Sequence, residues 1–416
     1  MTKATIIGNA STQSRGKRPG KPLVSDFCSG VHEHSIEDFG MGRYRKILSW
    51  PMAQYGPLLG FPHVDNPLTK DLIDHLHSGM EFGYYSLGSY LPYIEQELAD
   101  KLATLYAPYL RSPDIGIRFF SNGTDATQCA VALARYATGR EAFVSVGYHG
   151  GSSPVFNSAP QNRGVLRANE EGRFDIPFGG DLGKADWDHL ACAILEAPAV
   201  EDEVEAGKWI NEWEGCGAGF DVPLIMDEIV TGFRLSSTGA LGHYSSVNRK
   251  THYVDFVVLG KALSTYGKVS ALLGPRDVME ALSDKVFASY TFNDHPLGFA
   301  DALWTLGEYE KHKHALYGDW NTYAGNIGYV GDTLRLGLNS LFDEYSFPAK
   351  CIGHPARSAI VPTDDGTKLW TLLSRVVDEH DILLHRPQFV TLAHNLDHVA
   401  QTLTAVETVL KTWEKE

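Results

Sequence analysis

The sequence predicts an α/β protein with a large domain built on a mixed, mostly parallel sheet and a smaller α+β domain. Three observations predict this. The chain has 416 residues, which suits two lobes around a large core better than one small domain. Between residues 115 and 260, short apolar runs that each close on a polar or glycine-bearing turn alternate with helix-forming stretches. Beyond Phe299 the helical pattern returns, mixed with short strand-like runs. The expected division is an N-terminal segment over 1–60 that contributes to the small domain, a large domain over 61–300, and a C-terminal small domain over 301–416.

Taken in order, residues 1–35 read as irregular, because Gly, Ser, Pro and basic residues are mixed without a period. LTKDLIDHLHSG and LPYIEQELADKLATLY place apolar residues at helical spacing, and the Gly- and Tyr-rich GMEFGYYSLGSY between them reads as a loop. IGIRFF (115–120) reads as a strand broken by Ser121-Asn122-Gly123-Thr124. ATQCAVALARYATGR follows as a helix, closed by Gly139 in the manner of a C-cap. AFVSVG, ACAILE, PLIMDE and DFVVLG read as buried strands of a parallel layer. DHVAQTLTAVETVLKTW closes the chain as an amphipathic helix. There is no internal repeat and no low-complexity tract.

Composition narrows the function classes. A hydrophobic share of 43% with 21% charged residues marks a folded globular chain, not a disordered one. The formal net charge of −15 opposes a general affinity for nucleic acid. The run Arg15, Lys17, Arg18, Lys21 is the obvious candidate for a basic patch, and it reads as a solvated tail. The five cysteines (Cys28, Cys129, Cys192, Cys216, Cys351) are scattered and form no CxxC pair, so reduced structural thiols in a cytoplasmic protein are expected, with no metal. The first twenty residues lack a long apolar stretch and no run approaches transmembrane length, so neither secretion nor a membrane partner is expected. G-x-S-x-G, HExxH and the P-loop are all absent, and the His32/His34 and His312/His314 pairs sit in polar segments.

Four pieces carry candidate chemistry. Asp227 ends the apolar run Pro223–Met226, where α/β sheets bind ligands, but an acid at a strand end also serves as a structural cap. Lys261 follows the run DFVVLG and is either a surface residue on a turn or a crevice amine with a lowered pKa, able to form imines. Ser121-Asn122-Gly123-Thr124 lies between strand and helix. It suits a phosphate, or is an ordinary N-cap in which Thr124 or Ser121 satisfies the first turn. Tyr148-His149-Gly150-Gly151 follows AFVSVG, and its aromatic either stacks on a flat ring or covers a core edge.

In order and context, these pieces resemble the class III aminotransferases, pyridoxal-phosphate (PLP) enzymes of fold type I. Within that class the chain looks most like the glutamate-1-semialdehyde aminomutase branch. The resemblance runs from about Pro57 to the C-terminus through GPLLGF, FFSNGTDATQCAVALARYATGR, GYHGG, LIMDEIVTGFR, VVLGKAL, YTFNDHP and HRPQF. It implies the PLP-dependent transferase fold type I and pyridoxal 5'-phosphate as cofactor. Lys261 resembles the Schiff-base lysine, which also moves protons between the substrate Cα and the cofactor C4′. Asp227 resembles the partner of the pyridinium nitrogen. Asn122, Gly123 and Thr124 match the phosphate cup, Tyr148 the ring-stacking aromatic, and Glu196 an acidic position on the ring O3′ side. Thr291 matches a threonine lent to the phosphate by the neighbouring subunit, which implies a homodimer. Ser11–Arg15 loosely resembles a stretch that ends in a substrate-binding arginine, but it reads more readily as part of the solvated tail.

The chain also departs from the family. The phosphate loop ends in Asp125 where Glu is usual, Lys268 replaces a proline, and Ala197-Pro198, Ser264-Thr265-Tyr266 and Asp294-His295 are unusual around the substrate pocket. The function this implies is aminotransfer between a small-molecule amino donor and a carbonyl acceptor, the substrate being an amino acid or an amine. The alternatives are an intramolecular aminomutase, a decarboxylase or lyase, and a catalytically silent binding relative. The intact Lys261 and Asp227 argue against the last.

Overall fold

The structure is a computed structural model. It describes residues 25–29, 32–38, 43–51, 58–60, 67–81, 93–150, 172–197, 203–265, 268–289, 293, 296–318, 327–384 and 387–413. The chain divides into two compact units. One comprises Met1–Gln54, Leu59–Thr69 and Gly318–Glu416, and the other Tyr55–Leu58 and Lys70–Tyr317.

The elements begin with strands β1 (Ser25–Ser29), β2 (His32–Asp38) and β3 (Arg43–Ser49), followed by helices α1 (Pro67–Glu81) and α2 (Tyr93–Tyr106). The larger unit continues through β4 (Ile115–Phe120), α3 (Gly123–Thr138), β5 (Ala142–Val146), β6 (Arg173–Asp175), β7 (Leu190–Glu196) and α4 (Glu203–Gly219). Then come β8 (Leu224–Asp227), α5 (Gly239–Asn248), β9 (Phe256–Leu259), β10 (Ser270–Pro275), α6 (Arg276–Met279), α7 (Pro296–Lys311) and α8 (Lys313–Tyr317). The smaller unit resumes with α9 (Ile327–Glu344), β11 (Ala349–His354), β12 (Arg357–Pro362), α10 (Thr367–His380), β13 (Ile382–Leu383) and α11 (Leu396–Trp413).

In the larger unit the sheet order is β4-β10-β9-β8-β7-β5-β6. Neighbours pair in parallel from β9 through β6, while β10 runs antiparallel to both β9 and β4. Two antiparallel steps bring β4 back into the common direction. The carboxyl ends of β4, β5, β7, β8 and β9 therefore share one edge of the sheet. The central strands β5, β7, β8 and β9 are apolar along most of their length because helices cover them. Ala126, Ala130, Leu133 and Ala134 of α3 pack with Phe143, Ile194, Ile225, Phe256 and Leu272 from five strands. Gly139 closes α3 as expected, at φ 66 with its N–H on the Arg135 carbonyl. The N-cap differs from expectation. Asn122, not Ser121 or Thr124, is extended and accepts the Asp125 N–H.

The smaller unit holds a second sheet, β1-β2-β3-β13, and the hairpin β11-β12. Residues 25–29 and 32–38, which fall largely in the stretch read as irregular, are paired strands. Their sequence has little alternation, and cross-strand pairing supplies what local propensity lacks. Trp50 is fully buried, donates from Nε1 to Thr402 Oγ1 at 2.9 Å, and stacks on His394 at 4.3 Å. Burial pushes the thiols of Cys129 and Cys192 up to about 12 and that of Cys351 to about 11, so they behave as core residues. No helix among the described residues is long and apolar enough to cross a membrane.

Candidate active site

Strand register decides which candidates meet. Glu196 and Asp227, the last residues of β7 and β8, are direct partners, and Asp227 in turn faces Val258 of β9. One strand over, the chain leaves β9 through Gly260 into a turn of 3-10 helix, Lys261–Leu263. Asp227, Glu196 and Lys261 thus emerge from three adjacent strand ends.

Asp227 is 1% exposed, so its charge needs partners. Oδ1 accepts the Ile229 N–H at 3.0 Å, and Oδ2 lies 2.8 Å from His149 Nδ1. An ionised carboxylate has no proton to give, so the histidine donates from Nδ1. His149 is itself buried and comes from the end of β5. Its carbonyl accepts from Thr127 Oγ1 at 2.8 Å, which ties it to the first turns of α3. Tyr148, just before it, donates its backbone N–H to Glu196 Oε2 at 2.9 Å, while its ring is half exposed at the edge of the site.

The Asn122-Gly123-Thr124 loop joins the same cluster by close approach. A Cβ on Gly123 would lie 2.4 Å from Ile229 Cδ1, and one on Gly260 would lie 3.5 Å from Ile229 Cγ2. Ile229 therefore fills the space between the α3 N-terminus and the lysine turn. At Gly150, φ is 122 and a Cβ would meet Thr124 Oγ1 at 2.5 Å, so only glycine lets the backbone pass there. Asn122 Oδ1 takes the Asp125 N–H, and the earlier N–H groups of this 16-residue helix have no carbonyl of the helix to bond. That end can hold an anion.

Lys261 is half-buried and left-handed, at φ 43. Next to Asp227, Glu228 is fully buried and serves a different purpose. It accepts the Ala240 and Leu241 N–H groups at 3.0 and 2.9 Å and the Thr231 hydroxyl, so it caps α5. Burial raises its pKa to about 7 against the pull of those donors.

Of the residues singled out from sequence, Asn122, Gly123, Thr124, Tyr148, Glu196, Asp227 and Lys261 are gathered along this edge. Thr291 and Arg15 lie outside the described residues, as do Pro198, Tyr266, Asp294 and His295. Sequence reasoning missed His149 and Glu228. His149 lay inside a motif read for its aromatic, and Glu228 stood beside the more conspicuous Asp227. A histidine and a carboxylate that each follow an apolar strand run are the signal that could have paired His149 with Asp227. Chemically, the edge offers an amine able to form an imine, a buried carboxylate able to face a cationic ring nitrogen, an aromatic face and a phosphate seat.

Comparison with known proteins places the chain among relatives of one kind. No family model matches the chain. A glutamate-1-semialdehyde 2,1-aminomutase of Hyperthermus butylicus is 30% identical over 322 residues, covering 72% of this chain and 69% of the relative. One of Methanobrevibacter smithii is 23% identical, covering 99% of this chain and 96% of the relative. Among solved structures, the FumI protein of Sphingopyxis sp. MTA144 in its PLP internal aldimine form superimposes with a TM-score of 0.76 at 20% identity, covering 96% of this chain and 91% of that one.

Proposed function

The chain belongs to the glutamate-1-semialdehyde aminomutase-like branch of the class III pyridoxal-phosphate aminotransferases, and from that premise we propose that it is an aminotransferase holding its cofactor on Lys261. The observation that carries the reading is the buried Asp227 carboxylate, held by His149 at the strand end beside the Gly260-Lys261 turn. The residues fit the cofactor. The α3 N-terminus at Asn122, Gly123 and Thr124 suits its phosphate, Asp227 its ring nitrogen, the Tyr148 ring its face, and Glu196 its O3′ side. When bound, pyridoxal phosphate draws electrons from the carbon that bears the substrate amine, which both aminotransfer and amino migration require.

The protein's own groups do the rest. His149 bonds to the Asp227 carboxylate and fixes its orientation in a buried place. Lys261 would hold the cofactor and would carry the proton between the substrate Cα and the cofactor C4′. By the family resemblance, Thr291 would donate to the phosphate of the other subunit, and the working unit would be a homodimer. Arg15 is the candidate partner of a substrate carboxylate. Aminotransfer is placed ahead of migration because a mutase must retain its intermediate behind a closed rim. Here the rim residues Ala197-Pro198, Ser264-Thr265-Tyr266 and Asp294-His295 depart from the mutase pattern.

A half-reaction with one amino donor and no acceptor tests this. An aminotransferase releases one equivalent of carbonyl product per site, bleaches the resting absorption band and stops. An isomeric amine formed without acceptor would replace this reading with the mutase, and carbon dioxide release would replace it with decarboxylation.

A further inference from the structure

The backbone that carries Lys261 is held from outside the sheet. Lys261 lies in the left-handed region at φ 43, a conformation a non-glycine residue keeps only when its surroundings impose it. The four residues after it, Ala262 through Thr265, are all buried. Helix α7 meets them with one stripe of polar side chains spaced four residues apart: Asp301, Thr305 and Tyr309. Tyr309 Oη donates to the Ala262 carbonyl at 2.6 Å. Asp301 Oδ1 accepts the Thr265 N–H at 3.0 Å and the Thr305 hydroxyl at 3.2 Å. Thr305 Oγ1 also lies 2.8 Å from Thr265 Oγ1, which donates to it. Asp301 and Thr305 are 2% and 0% exposed.

Asp301 holds the Thr265 N–H and Tyr309 holds the Ala262 carbonyl, so the stripe on α7 fixes both ends of the four-residue segment that follows the lysine. The neighbouring helix repeats the device. Tyr317 Oη of α8 donates at 2.8 Å to the carbonyl of Phe233, which is itself left-handed at φ 60 in the loop that follows Asp227.

We infer that Asp301, with Thr305 and Tyr309, forms the positioning device that holds Lys261 in its left-handed turn and so sets where the cofactor amine points. These are positioning residues, acting through the backbone of 262–265. The inference rests on Lys261 being the cofactor lysine. A peptide map of the borohydride-reduced parent checks that premise separately, since the adduct falls either on Lys261 or elsewhere.

The test strips the protein of cofactor and follows recapture of added pyridoxal 5'-phosphate in the parent and in D301A, D301N, T305V and Y309F. It reads the capture rate on Lys261, the pH midpoint of the resting absorption band, and the thermal midpoint. Asp301→Ala should slow capture about ten-fold and move the pH midpoint by about one unit. Asp301→Asn keeps an oxygen for the Thr265 N–H and should recover most of both. T305V and Y309F should fall between D301A and the parent. A lower thermal midpoint with capture rate and pH midpoint both at parent values would overturn the inference and leave α7 a purely stabilising helix. Should D301A fail to fold, T305V and Y309F decide in the same assay.

Discussion

The roles proposed for Lys261 and Asp227 make different demands on neighbouring strand ends: an amine free to react, and a buried carboxylate supplied with hydrogen-bond donors. The Ile229 N–H and His149 Nδ1–H supply the second need. Lys261→Ala should lower turnover roughly a thousand-fold or more, because amine attachment and proton transfer vanish together. Turnover close to the parent's would remove Lys261 from the mechanism. Asp227→Asn should still bind cofactor but turn over poorly, since a neutral amide gives the ring nitrogen no ionic partner, and Asp227→Glu should be milder. His149→Gln tests the residue that the sequence alone did not single out. Losing a hydrogen bond to a buried charge costs about 1.5–3 kcal/mol, so kcat should fall roughly 10- to 100-fold while cofactor stays bound. An unchanged kcat would show that His149 only fills space.

Helix α5 shows how one element ties the site loop to pH. Glu228 caps its first turn, and His243 lies within it, where burial lowers the imidazole pKa from 6.5 to about 4. The two titrations oppose each other. Unfolding lets His243 take up a proton between about pH 6.5 and 4, so its contribution weakens stability as pH falls. Glu228 titrates near 7 when folded and near 4.5 when unfolded, so the folded state holds its extra proton in that window and stability falls as pH rises. Each is worth about 3 kcal/mol across its window, and they nearly cancel between pH 4.5 and 6.5. His243→Gln should unmask the Glu228 slope, so its thermal midpoint should drop by roughly 5 °C from pH 4.5 to 6.5 relative to the parent. Parallel curves for variant and parent would show that these groups do not control the helix.

At the scale of the whole molecule, the expectation that matters is assembly. The proposal that Thr291 serves the other subunit's phosphate predicts that the protein scatters light as twice the chain mass. Thr291→Ala should weaken cofactor binding without dissociating the dimer. An active species of single-chain mass would sink both statements.

Much of the fold was legible in the sequence because its signals are local. Apolar runs of four to seven residues gave β4, β5, β7, β8 and β9 their places, and helical spacing gave α2, α3 and α11 theirs. The residues at the strand ends were legible too: Lys261 and Asp227 are types that burial makes conspicuous. What the tertiary structure alone decided is which of these ends lie side by side. The antiparallel β10 between β4 and β9, the pairing of residues 25–29 with 32–35, the His149–Asp227 contact across 78 residues and the Asp301 contact to Thr265 across 36 have no local signal. A side chain's chemistry is written in its own residue, but a buried charge is kept by its partner. Strand order and register bring that partner from a distant part of the chain.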